Sequence, residues 1–169
     1  MEPITDPHQI QQALAWIVAV LERHHVPYQV VGGLAAQAYG AQRPLVDIDL
    51  YVPLEQATEA LAEWKPFIVR EPLPHRSAAW DLVYLALSYQ GVWIEIGDSS
   101  THPRFYNARD QRWELQAIDY AASQICTLYQ IAVAVMPRAE LLRYKVMLDR
   151  EVDHLDIAQM IATTGASDR

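Results

Sequence analysis

The chain of 169 residues is short of cysteine, of cations and of long apolar runs, and each shortage excludes something. Its single cysteine, Cys126, has no partner for an internal disulfide, and its apolar surroundings make it read as a small core side chain. Thirteen Lys and Arg stand against 21 Asp and Glu, a net charge of −8, which argues against the broad positive surface that bulk nucleic-acid binding needs. No apolar stretch approaches a membrane span, and the opening MEPITDPHQI lacks the basic-then-apolar character of a signal peptide. A cytoplasmic protein with no membrane partner is expected. The histidines are scattered without metal-ligand spacing, which excludes a zinc site, and there is no internal repeat or low-complexity segment.

What is present is apolar content of 51%, enough for one core, so residues 1–169 are expected to form a single domain. An N-terminal helix is expected over 7–25, because Asp6-Pro7 is a cap and first turn and Ile10, Leu14, Ile17 and Leu21 recur at helical spacing. The core follows over 28–136 and C-terminal helices over 137–162. Within the core, Pro53 opens a third helix reaching Trp64, and 81–89 and 92–97 flank the hairpin turn Gln90-Gly91. Strands are also expected at 123–128 and 131–135. The Pro-rich EPLPHRS and the polar stretch 98–112 read as surface loops, the latter a solvated mixture of Arg104, Phe105, Tyr106, Arg109, Arg112 and, just beyond it, Trp113. Trp16 and Trp64 read as core; Trp80 and Trp93 are candidates to line a cleft.

The most informative stretch is VVGGLAAQAYGAQRPLVDIDLYV, residues 30–52. A short β-branched strand runs into Gly32-Gly33, a brief helix follows, and then a strand over 45–52 alternates. Asp47 and Asp49 share one face with Leu45 and Tyr51, while Val46, Ile48, Leu50 and Val52 face the core. Glycines at a strand-to-helix turn let backbone N–H groups approach a phosphate, and carboxylates two apart on a strand can share a metal ion. The acidic face is expected to open outward.

This combination resembles the nucleotidyltransferase fold of the DNA polymerase β-like superfamily, especially the small bacterial lincosamide and aminoglycoside nucleotidyltransferase-like proteins and toxin–antitoxin-type members. The matching positions are Gly32, Gly33, Ala36, Gly40, Arg43, Asp47, Asp49 and Leu50, and a later helical pattern of Lys145, Arg150, Asp153 and Asp156. Leu45 stands where such relatives often carry Thr, and Val152 where they often carry Lys. The resemblance implies an α/β (α+β) nucleotidyltransferase fold, a mixed twisted sheet flanked by helices. It implies a third carboxylate on a later strand, for which Glu95 fits best, ahead of Asp98 and Asp81.

The implied activity is metal-dependent transfer of an NMP group from an NTP, ATP being the expected donor, to a hydroxyl acceptor with release of pyrophosphate. Asp47, Asp49 and Glu95 would be catalytic and hold Mg²⁺ or Mn²⁺; Gly32, Gly33, Arg43 and Lys145 would bind nucleotide. The acceptor, a small molecule, a protein or a tRNA, is not legible. The alternative is a non-catalytic nucleotide- or protein-binding module of the same fold, antitoxin-like in character.

Overall fold

The computed structural model describes residues 1–167. Helix α1 (Pro7–Arg23) leads to β1 (Gln29–Val31), α2 (Gly32–Ala38), β2 (Ile48–Val52) and α3 (Thr58–Trp64). Five strands follow, β3 (Ile68–Arg76), β4 (Trp80–Tyr89), β5 (Val92–Asp98), β6 (Arg104–Asn107) and β7 (Arg112–Leu115), then β8 (Gln124–Leu128), β9 (Ile131–Val135), α4 (Arg138–Leu148) and α5 (Glu151–Ser167). The strands make one mixed sheet in the order β7-β6-β4-β5-β2-β1-β9-β8, with β3 also paired to β4. Among the described residues no helix is long and apolar enough to cross a membrane.

Asp6 starts α1 by accepting the His8 N–H at 2.9 Å, and Pro7 occupies the first helical turn, where a missing N–H costs nothing. The helix buries Ile10, Leu14, Ile17, Val18 and Leu21 in the core that also holds Ile48, Leu50 and Val52 of β2 and Val92, Ile94 and Ile96 of β5. β2 and β5 run parallel with Ile48 opposite Ile94 and Leu50 opposite Ile96. One face of this strand pair is therefore hydrocarbon from Ile48 to Val52 and from Val92 to Ile96, with the buried Asp98 at its end opposite Val52, and the other polar side chains of the pair fall on the opposite face. Cys126 is half-buried at β8, not a full core residue.

Two expected loops are strands. EPLPHRS lies largely within β3, whose Pro72 and Pro74 are tolerated because the strand pairs on one side only, with β4, through two register shifts. The stretch 98–112 contains β6 and the start of β7. Their hairpin is organised by the buried Asn107, whose side-chain oxygen accepts the N–H groups of Arg109 and Asp110 at 3.0 Å each, while its Nδ2 donates to Glu114 at 2.7 Å. The helix expected from Pro53 is a single 3-10 turn, Leu54–Gln56, before α3. The strand expected over 45–52 begins only at Ile48.

Candidate active site

Side chains alternate along a strand, so the face of β2 and β5 opposite the core carries Asp49 and Tyr51 from one strand and Glu95 and Gly97 from the other. Asp49 and Glu95 are register partners, and Asp47 precedes the strand by one residue. Carboxylate oxygens of Asp47, Asp49 and Glu95 all lie within 4.8 Å of one another. Among the described residues none of the three is in a salt bridge; Glu95 accepts the Trp93 indole N–H at 3.0 Å, which fixes one of its oxygens. The face does not simply open outward: Leu45 and Tyr51 on it are buried, and the acids are only partly exposed.

Packing three carboxylates this tightly has an electrostatic cost. Burial first, then the neighbouring Asp47 and Glu95, push the Asp49 carboxyl well above the usual carboxylate range, partly offset by Lys145 and Arg150. Asp47 is raised by burial and by Glu95, with Arg43 opposing. A divalent cation would remove that repulsion. The donors are hard oxygens, close together and without cationic partners, so the residues present fit Mg²⁺ or Mn²⁺.

The other two acids weighed as third ligand are engaged elsewhere. Asp98 ends β5 and is buried as a cap, accepting from Leu54 N and Ser100 N at 3.0 Å each and from the Ser100 hydroxyl. Asp81 pairs with Arg104 and, at 3.9 Å, with Arg76. Neither belongs to the cluster.

Gly32 has φ +64, the left-handed conformation that favours glycine, and a Cβ there would sit 2.0 Å from Asp49 Oδ2. Gly33 lets the Arg43 guanidinium lie against the backbone, since a Cβ would come within 2.6 Å of Arg43 Nη2. The glycine pair is thus where the start of α2 touches both a metal-type acid and a cation. Gly32→Ala is expected to lower stability by about 1–3 kcal/mol and to displace Asp49, whereas Gly33→Ala meets only a flexible arginine tip. Thermal denaturation of the two variants checks this; equal midpoints would refute the close approach of Gly32 to Asp49.

Arg43 is held from α5: its Nε donates to Asp156 Oδ1 at 2.8 Å. The other Asp156 oxygen accepts from Lys145 Nζ at 2.8 Å, Lys145 reaches Asp153 at 3.3 Å, and Asp153 takes a two-pronged contact from Arg150 at 2.7 and 3.0 Å. Lys145, Asp153 and Asp156 are all buried. All seven residues singled out as catalytic or nucleotide-binding, Gly32, Gly33, Arg43, Asp47, Asp49, Glu95 and Lys145, line one cleft of about 400 Å³. So does Trp80; Trp93 instead supports Glu95 from the side.

No protein-family model matches the chain, and no curated protein matches it in sequence. Solved structures do. A Thermotoga maritima protein described as a candidate nucleotidyltransferase superposes with a TM-score of 0.68 at 16% identity, covering 99% of this chain and 98% of that one. The lincosamide antibiotic adenylyltransferase LnuA, solved with lincomycin bound, gives 0.61 at 15% identity over 95% and 98%. The antibiotic-resistance factor ANT(2'')-Ia gives 0.61 at 15% over 96% and 88%. The chain has the nucleotidyltransferase fold. In this nucleotidyltransferase fold the sequence reading missed Tyr51, His75, Leu82, Tyr84 and Tyr144 as cleft-lining residues. Three of them sit on strands β3 and β4, and the signal available was the two-residue spacing of Trp80, Leu82 and Tyr84.

Proposed function

We propose that the chain is a metal-dependent nucleotidyltransferase that moves an NMP group from an NTP, ATP being the expected donor, to a hydroxyl acceptor. The observation that carries this is the convergence of Asp47, Asp49 and Glu95, unpaired with any cation, beside the Gly32-Gly33 turn and Arg43. Asp47, Asp49 and Glu95 would hold the divalent ions, which when bound supply charge neutralisation at the attacking and leaving oxygens. Backbone N–H groups at Gly32 and Gly33 face the phosphates, and Arg43, aimed by Asp156, meets their negative charge. Lys145 is too enclosed to swing freely; its charge acts through the wall of the cleft on Asp49 and through Asp156 on Arg43.

The acceptor oxygen attacks the α-phosphorus, the bond from that phosphorus to the bridging oxygen breaks, and pyrophosphate leaves. Glu95, which lines the cleft and accepts the Trp93 indole N–H on one oxygen, would take the acceptor proton. Incubating the protein with each α-labelled NTP, Mg²⁺ and a cell extract should label one acceptor fraction and release pyrophosphate, and chelation of the metal should stop both. Absence of label with all NTPs in the presence of Mg²⁺ would favour the non-catalytic binding module.

A further inference from the structure

The glycine turn lies on the β1 side of the three carboxylates, and β4 lies on the far side of β5. Strand β4 presents Trp80, Leu82 and Tyr84 on one face by their two-residue spacing. That face is the one carrying Glu95, because Tyr84 is opposite Gly97 and Ala86 opposite Glu95 in the β4–β5 register. His75 of β3 is register partner of Leu82 and packs edge-on against Tyr84 with ring centroids 5.4 Å apart. Tyr144 closes the wall, its ring 5.5 Å from that of Trp80. Past the carboxylates, the cleft is therefore a surface of rings.

The charge of this wall is as informative as its shape. Among the described residues, no lining side chain beyond Asp47, Asp49 and Glu95 is acidic, and Arg150, 5.8 Å from the Trp80 ring centroid, also lines the cleft. Arg70 of β3 covers the Tyr84 ring at 4.1 Å. Once metals occupy the three acids, nothing here neutralises a polycation. Three arginines of the neighbouring strands and helix are also committed to acids: Arg104 to Asp81, Arg112 to Glu114 at 3.1 Å and Arg143 to Glu140 at 2.7 Å.

We propose that this aromatic wall is the acceptor subsite and that it takes a small hydroxylated molecule with a planar ring, uncharged or carrying an anionic group, and rejects polycations. This rests on the nucleotidyl-transfer reading. A planar ring packed against Trp80 and Tyr84 gains aromatic contact, while Arg150, already paired with Asp153 at 2.7 and 3.0 Å, leaves this end of the cleft without an uncompensated acid; the hydroxyl of such a ring would reach toward the three carboxylates.

The test uses the full chain with 7-hydroxycoumarin and 4-hydroxybenzoate as probes, tobramycin and a short single-stranded RNA as competitors, and α,β-methylene-ATP with Mn²⁺ as the nucleotide. Both arenes should bind. Trp80→Ala should weaken the coumarin at least about tenfold and Trp80→Phe much less, with nucleotide affinity nearly unchanged. Tobramycin should displace neither arene. Displacement by tobramycin, displacement by RNA that itself binds more tightly than the arenes, absence of arene binding, or a Trp80→Ala loss that falls on the nucleotide instead would each overturn the proposal. Failure of the nucleotide analogue to bind with Mn²⁺ would count against the nucleotidyl-transfer reading, while the arene titration still decides the subsite.

Discussion

Asp49→Asn should lower nucleotidyl transfer by at least about 10³-fold, roughly 4 kcal/mol of transition-state stabilisation, while making the metal-free protein more stable. The two effects have one cause. Asp49 is held by burial and by Asp47 and Glu95 in a place where its charge is unfavourable, and its carboxyl is raised well above the usual range. A folded-state value above the unfolded one means the folded protein binds the extra proton, so stability falls as pH rises from the unfolded value near 4 through the raised folded value. The amide has no such dependence. The melting midpoint of Asp49→Asn should therefore exceed that of the parent by an amount that grows from about pH 4 upward, a few degrees for each ~1 kcal/mol. Mg²⁺ should reverse the order, stabilising the parent and leaving the variant unmoved. Thermal denaturation from acid to neutral pH with and without Mg²⁺, beside the transfer assay, measures all of this. A variant that keeps more than a few per cent of the activity would end the assignment of Asp49.

How much of this was legible in the sequence depends on the range over which each feature is determined. The glycine turn and the Asp47–Asp49 pair are local: a strand fixes which side chains share a face, and positive φ at Gly32 is a property of one residue. Glu95 needed a partner strand, yet strand parity alone put its side chain on the polar face, and the parallel register then set it opposite Asp49. The β3 and β6–β7 segments were not legible because their evidence is tertiary. Pro72 and Pro74 argue for a loop until β3 is seen to pair on one side only. Asn107 and its flanking turn look like solvated residues until the side chain is found buried, knitting the hairpin together. Likewise, Asp98 looks like a ligand from its place at the strand end, but its Oδ1 is committed to capping the turn that follows β5 and to Leu54 N. The link from Asp156 to Arg43 spans 113 positions, and no spacing rule reaches that far.

That long-range link supports the second large effect: Lys145→Met should cost about 3 kcal/mol, a drop in melting midpoint of about 6–12 °C. Asp153 and Asp156 are both fully buried, and the single ammonium of Lys145, itself 1% exposed, lies between them. Methionine fills the same space without the charge, so cavity formation is minimal and the loss reports the two buried carboxylates. Each keeps one arginine, Asp156 its 2.8 Å contact to Arg43 and Asp153 its contacts to Arg150, which holds the cost near the lower end of what breaking a buried ion pair entails. The sign with pH is opposite to that at Asp49. Burial by itself would raise the Asp153 carboxyl, but hydrogen bonds and charge from Arg150 and Lys145 bring it below the usual range. Its stabilising contribution is thus present above the unfolded value and is lost as pH falls through the lower folded value. The gap between parent and Lys145→Met should be widest near neutral pH and close in strong acid. Denaturant unfolding at neutral and acid pH reads it directly, and a neutral-pH loss below about 1 kcal/mol would mean that water reaches the two aspartates. In the folded variant, Asp156 is left with Arg43 alone. The guanidinium is then drawn toward it and away from the glycine turn, so nucleotide affinity should weaken as well.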